Sequence, residues 1–239
     1  DIVFTTTEIL NYHVGIKKFA KCIINISDFD SVNFEKLKKI IMAKSVDGRI
    51  NVFVYTHMLR NFVEYILDNL PEGIYYTYFI HNSDHELYNT DFVLKLLDNN
   101  STYAVKSQNC NILHKKVNLL PIGLQNEMWC KDNILTILEV ARNTYNKKRL
   151  NDVYINVNYN TFPYRKQIVD AFVSAGYTLA KQKPFKEYLY DLAKYKYCLC
   201  PRGNGIDTHR FWEAIYLGVI PIIVNDDNTD MNLFVENLR

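Results

Sequence analysis

The sequence predicts an α/β protein built from two Rossmann-like halves with parallel sheets. Three observations carry this expectation. Short apolar runs rich in β-branched and aromatic residues recur at 22–26, 50–55, 74–80, 102–105, 117–120, 153–157, 196–200 and 219–224. Between many of them, at 34–43, 57–70, 91–97, 164–175 and 185–193, apolar residues recur with helical spacing. A parallel strand pair needs a long crossover, and a helix supplies it, so this alternation predicts parallel sheets covered by helices. The third observation is a change of character. The helical pattern at 132–150 turns strongly polar at ARNTYNKKRL before the run VYINV begins. The boundary is therefore expected near residue 148, giving an N-terminal Rossmann-like domain over 1–148 and a C-terminal one over 149–239. The second half is short and stops soon after a strand, so a truncated form without a closing helix is expected.

Bulk properties narrow the classes. A length of 239 residues suits one large α/β domain or two small ones. With 48% apolar and 23% charged residues the chain can fill a core, which excludes a disordered protein. The net charge of +2 carries no basic stripe. LHKKVN and NKKR are short and lie between expected elements, so nucleic acid is not an expected partner. No apolar run approaches the ~20 residues that span a bilayer. The 5 cysteines form no disulfide framework. Cys198 and Cys200 lie on one expected strand without a second pair at metal-ligand spacing, so buried, reduced thiols in a reducing compartment are expected. The chain begins at Asp1, which is expected for one domain of a longer polypeptide.

The stretch CPRGNGIDTHRFWEAIYLGVIP at 200–221 carries the most chemistry. An apolar run leads into a glycine-containing turn, an amphipathic helix over 207–217 ended by Gly218, and a second apolar run. Strand, loop and helix in this order offer backbone N–H groups and a positive helix end to a phosphate. Ligands of open parallel sheets sit beyond the carboxyl ends of the strands. Arg202, Gly203, Asn204 and Gly205 follow such an end directly. The two glycines would let the backbone approach a ligand closely. Asp207 or Thr208 is the expected N-cap. Arg210 and Glu213 share a helix face three residues apart, the cation suited to a diphosphate and the carboxylate to ribose hydroxyls. The alternative is a capped helix with a surface Arg–Glu pair. His209 lies in the same turn. Trp212, Ile215 and Leu217 are expected in the core. Arg165 follows the strand VYINVNYN and the turn TFPY, so it too is expected at the ligand edge, the alternative being a solvated arginine at a helix start.

A second cluster, His81, Asn82, Ser83, Asp84 and His85, follows the strand YYTYFI. It could relay or abstract a proton, or it could be an Asx or Ser turn with Asp84 capping a short helix. His81 and His85 are four apart without a third ligand, so no metal is expected. A third segment, LPIGLQNEMW, offers Gln125, Asn126 and Glu127 to a crevice. The Asp226–Asp227 pair follows the last strand and reads as a turn. No Gly-x-x-x-x-Gly-Lys-Ser/Thr loop is present, which excludes a P-loop enzyme, and no Gly-x-Ser-x-Gly elbow is present.

Four blocks taken together resemble the exostosin-like glycosyltransferases, in the short form found among large DNA viruses, algae and bacteria. They are FIHNSDHELYN at 79–89, NLLPIGLQNEMW at 118–129, KPFKEYLYDLAKYKYCLCPRGNGIDTHRFWEA at 183–214 and LGVIPIIV at 217–224. The likeness spans most of residues 75–225, and residues 1–70 add no motif. It implies a GT-B fold, two Rossmann-like domains with parallel sheets facing across a cleft. It implies a transferase that moves a monosaccharide from a UDP- or GDP-type nucleotide sugar to a hydroxyl of a glycan or glycoprotein, with no obligatory metal or other cofactor; inversion is expected from a base in the His81–Asp84 cluster. By the resemblance, Arg202, Asn204, Asp207, Arg210 and Glu213 fall on the donor motif, with Glu213 toward the ribose, and Arg165 lies near the diphosphate; Gly203, Gly205 and Thr208, read from the loop and helix start above, complete the expected donor site. His81 or Asp84 is the catalytic base. Asn82, Ser83, His85, Gln125 and Asn126 line the acceptor side. The expected location is the cytoplasm, that of the host for a viral chain. Rival expectations are a non-catalytic nucleotide-sugar or glycan-binding domain and a nucleotide-sugar epimerase on the same fold.

Overall fold

A computed structural model of the protein describes residues 33–125, 132–225 and 231–238. The strand expected at 22–26, the residues Asn126 and Glu127 and the Asp226–Asp227 pair lie outside the described residues. The fold is α/β with parallel sheets, in two compact units.

The first unit covers described residues 33–121 and 232–238. Helix α1 (Phe34–Lys44) starts at Asn33, whose side chain accepts from the Lys36 N–H at 2.9 Å. Leu37 and Ile41, one turn apart, are its buried face. Four strands follow in parallel pairing: β1 (Arg49–Tyr55), β2 (Tyr75–His81), β4 (Thr102–Ser107) and β6 (Val117–Leu119), in the order β1-β2-β4-β6. Two further short strands, β3 (Leu87–Tyr88) and β5 (Cys110–Asn111), pair with each other. The crossovers are α2 (Leu59–Tyr65) and α3 (Asp91–Asp98), the latter capped by Thr90. The helix expected over 57–70 is shorter than its pattern, with a 3-10 turn at each end. Pro71 explains the C-terminal stop, because it drives Leu70 to an extended ψ of 149°. Tyr76, Tyr78, Ile80, Phe62 and Leu96 are fully buried between sheet and helices.

The second unit covers described residues 122–125, 132–225 and 231. It contains α4 (Asn133–Thr144), β7 (Leu150–Tyr154), α5 (Arg165–Ser174), α6 (Phe185–Leu192), β8 (Tyr195–Leu199), α7 (His209–Tyr216) and β9 (Ile220–Ile222). The strands pair in parallel in the order β7-β8-β9. A parallel bridge from Ile155 to Leu179 extends the sheet past β7.

The units meet in sequence at Pro121 and Ile122, whereas the sequence reading divides the chain near 148. The reason is α4, which packs on α6 and α7 and buries Ile137 and Val140. Its polar end, which looks like a linker in sequence, is only the solvated last turn. A short helix α8 (Asn232–Asn237) ends the described chain. It belongs to the first unit, on β5, where the Asn237 amide donates to Ile112 O at 3.1 Å and Phe234 is 1% exposed. The helix that follows β9 thus belongs to the first unit and not to the C-terminal domain expected over 149–239.

Candidate functional site

The candidate site lies at the carboxyl ends of β7 and β8 in the second unit. β8 ends at Leu199, and Cys200, Pro201, Arg202 and Gly203 are buried as the chain turns away. The turn closes on itself through Gly203 N–H to Gly205 O at 2.9 Å. α7 then begins at Thr208, an extended N-cap whose side chain makes no capping bond. At its far end Gly218 takes φ 68°, and Val219 N–H reaches back to Ala214 O at 2.8 Å. That is the left-handed helix stop for which glycine is suited.

Between the start of α7 and the loop after β7 lies a cavity of about 260 Å³. Gln125, Asn158, Arg165, Thr208, His209, Arg210 and Glu213 line it with Val157 and Pro201. The first-turn N–H groups of a helix have no intrahelical acceptor and carry the positive end of its dipole, so an anion in this cavity is favoured before any side chain is counted.

Arg165 is both wall and brace. Its Nε donates to Arg202 O at 2.6 Å, Nη2 to Pro201 O at 3.1 Å and Nη1 to Asn158 O at 2.9 Å. Burial, with Arg210 nearby, lowers its pKa to about 10, still cationic at neutral pH. A Cβ on Gly203 would come 3.0 Å from Arg165 Nη2. The guanidinium is held on three sides and cannot withdraw, so glycine at 203 is required by close approach. Gly203→Ala is therefore expected to cost ~1–3 kcal/mol by overpacking. A urea-denaturation midpoint equal to that of the wild type would refute the clash.

Arg210 lies over the Tyr188 ring, its guanidinium carbon 5.2 Å from the centroid. Burial alone would lower its pKa, but Tyr188, Cys198 and Glu213 around it more than offset this, and the net shift is upward. Its Nε is buried and finds no hydrogen-bond partner among the described residues. Glu213 is 6% exposed and accepts from the Tyr188 hydroxyl at 2.7 Å. Burial, and Glu213 beside it, hold the Tyr188 hydroxyl in its protonated form. Glu213 is thus fixed in orientation, with one oxygen engaged.

The sequence gives no role to His209, and the structure places it on the cavity wall. Its Nδ1 lies 2.8 Å from Gly123 O, which only an N–H can satisfy, so Nδ1 carries the proton and Nε2 is the acceptor atom of the neutral ring. Gly123, 86 residues away in sequence, was the missing signal.

Other expected donor residues stand elsewhere. Arg202 is 9% exposed and stacks on the Phe162 ring at 4.5 Å, outside the cavity wall. Gly203 and Gly205 are buried in the loop, and Asn204 is exposed. Asp207 is not an N-cap, and it is not on the wall either. It is 4% exposed, and its two oxygens accept from Ile122 N–H and Trp212 Nε1–H, each at 2.7 Å. Burial pushes its pKa up to about 7, against the opposing effect of these bonds and of the Thr208 N–H. Leu217 is buried as expected, whereas Ile215 is 44% exposed. Gln125, expected on the acceptor side, lines this same cavity.

In the first unit, the cluster after β2 forms a pinned turn. His81 is fully buried, its Nδ1 3.2 Å from Asn82 Oδ1 and its Nε2 3.5 Å from Pro121 O. Asn82 takes φ 61°, a left-handed value that asparagine tolerates. Gln108, which follows β4, accepts from Asn82 N–H at 3.1 Å and donates to Ser83 O, and Asn109 donates to the same carbonyl at 3.1 Å. Ser83 Oγ accepts from His85 N–H at 3.3 Å. Asn82, Asp84 and His85 are exposed and Ser83 is half-buried. Of the two residues expected as base, only Asp84 is presented to solvent.

Cys110, Cys198 and Cys200 are buried free thiols. Among the described residues, no group of three His, Cys, Asp or Glu side chains is placed to hold a metal ion, and no helix is long and apolar enough to cross a membrane. No protein-family model matches this chain.

Proposed function

We propose that the cavity at the start of α7 binds the diphosphate of a nucleotide sugar, and that the chain is a sugar transferase of GT-B type. One observation carries the reading. Arg165 and Arg210 share a cavity with a helix N-terminus, and the one carboxylate among the described residues of its wall, Glu213, is already engaged by Tyr188. Two guanidinium groups that repel each other, one with a buried N–H that no described residue accepts, are stabilised by an anion between them.

In the proposed reaction an acceptor hydroxyl loses its proton to Asp84, and its oxygen attacks the anomeric carbon. The bond from that carbon to the diphosphate oxygen breaks with inversion. Arg165, Arg210 and the N–H groups of α7 take up the charge that develops on the leaving diphosphate. His81 is set aside as base because its ring is fully buried. The acceptor is a hydroxyl of a glycan or glycoprotein.

The test is a thermal-shift panel of UDP-, GDP-, CMP- and dTDP-sugars. At ~100 times its dissociation constant, a ligand adds ~2.7 kcal/mol of stability. At least one donor is expected to raise Tm. Arg210→Ala is expected to abolish the rise, and Glu213→Gln, which keeps an acceptor for Tyr188, to reduce it. A flat panel would sink the donor reading.

A second reading, binding without transfer, is favoured by the turn at Asn82–Ser83, which Gln108 and Asn109 explain without any catalytic role. Donor binding by an Asp84→Asn variant whose product formation equals that of the wild type would decide for another base. Donor binding with no product from any glycan acceptor would decide for the binding module.

A further inference from the structure

The second unit holds another cavity, of about 220 Å³, that the reading above does not use. It opens beyond β7, against the chain that bridges to it at Leu179. Its polar wall is made of carboxamides, from Asn156, Asn158, Asn160 and Gln182, beside Tyr159, and no Asp, Glu, Lys or Arg side chain among the described residues lines it. A wall of this kind does not concentrate ions. It matches a neutral group that both donates and accepts hydrogen bonds.

Part of the pattern is fixed by bonds inside the protein. Asn156 is 8% exposed, and its Nδ2 donates to Tyr154 Oη and to Lys181 O, each at 3.3 Å. Its Oδ1 is thereby the atom left as acceptor. Asn158 Oδ1 accepts from Asn160 N–H at 3.0 Å, which leaves Nδ2 as the donor. The cavity therefore offers an acceptor and a donor from neighbouring positions, with the amides of Asn160 and Gln182 adaptable around them.

Val157 and Asn158 line both this cavity and the one that contains Arg165 and Arg210, so the two share a wall. Asn158 O also accepts from Arg165 Nη1 at 2.9 Å, which couples the loop of one cavity to the cation of the other. An anion-suited cavity beside an uncharged carboxamide cavity matches a ligand with the same two parts. We infer that the carboxamide cavity binds the uncharged, hydrogen-bonding ring of a ligand whose diphosphate occupies the arginine cavity. The inference rests on the proposed anion site. The ring is either the nucleobase or the sugar, and the shared chemistry is a compact ring that presents both donors and acceptors.

The experiment compares Asn160→Ala and Gln182→Ala with the wild type by calorimetric titration of pyrophosphate, UDP, GDP and glucose 1-phosphate. Both residues are exposed, so the variants are expected to fold, and unchanged pyrophosphate binding verifies this. The expected result is a rise of about ten-fold in Kd for ring-bearing ligands, the loss of one good hydrogen bond, with pyrophosphate unchanged. A rise confined to UDP or GDP assigns the base to the cavity, and one confined to glucose 1-phosphate assigns the sugar. Equal affinities in wild type and variants overturn the inference while the anion site stands. An equal loss for all four ligands overturns it as well, since the cavity would then act only through the fold. Failure of the wild type to bind any of the four overturns both this inference and the anion reading.

Discussion

Arg165→Ala is expected to unfold more readily than any other variant of the cavity wall and to lose anion binding as well. The side chain joins the loop after β7 to the loop after β8 by three hydrogen bonds to backbone carbonyls. Pro201 and Arg202 are buried, so their carbonyls would be left without a donor and without easy access to water. Each such orphan costs ~1–3 kcal/mol, and two of them imply a loss of ~2–6 kcal/mol. Asn158 is exposed, and water would replace that bond at little cost. Arg165→Lys is not expected to rescue the loss, because a single ammonium cannot bridge carbonyls that a planar fork reaches from three nitrogens. The check is urea denaturation of both variants. If Lys restored the midpoint, the brace would be a charge effect and the geometric account would fail.

Asp207→Ala is expected to be nearly as costly, ~2–5 kcal/mol, for a different reason. It leaves the Ile122 N–H and the Trp212 indole N–H without their acceptor. Asp207 also makes stability depend on pH. Its folded pKa of about 7 is above the ~3.9 of an unfolded aspartate. The protonated form is therefore favoured by folding. The stability it contributes is complete below ~3.9 and is lost as pH rises through about 7. Asp207→Asn cannot ionise, so the difference in denaturation midpoint between wild type and this variant should shift across that window and level off above it. Trp212 gives a second readout, because its indole donates directly to the carboxylate. Its fluorescence should titrate near neutrality in the wild type and not in Asp207→Asn. A wild-type profile flat from pH 4 to 8 would place the carboxylate's pKa elsewhere.

The elements were legible where a periodic apolar pattern and its punctuation agreed. The runs at 50–55 and 74–80 became β1 and β2, and the pattern at 185–193 became α6, because each pattern is local and its burial follows from one face. The strands β3 and β5 were not legible. Each has two residues, too short for a period, and each exists only through its partner. The site was legible in outline for a similar reason. Arg165, Thr208, Arg210 and Glu213 were expected at strand ends or helix starts and do line one cavity. What sequence could not supply is which side chains the fold turns away from that cavity. Arg202 stacks on Phe162 and Asp207 serves Ile122 and Trp212, pairings set by tertiary packing across up to 85 residues of chain. His209 illustrates the converse, since its tautomer and its place depend on a carbonyl contributed by Gly123.

The short helix α8 has a consequence for the order in which the protein is made. Residues 33–121 leave the ribosome before the second unit, yet their unit also contains residues 232–238, which leave after it. Until then the carbonyls of Cys110 and Ile112 lack the amide of Asn237, and the site of Phe234 is open. Domains ordinarily finish folding in the order of synthesis. Here the unit that begins first is completed only after the second has been translated. A nascent chain arrested before Asn232 would thus carry an unfinished first unit, and protease sensitivity near β5 would mark the moment when α8 arrives.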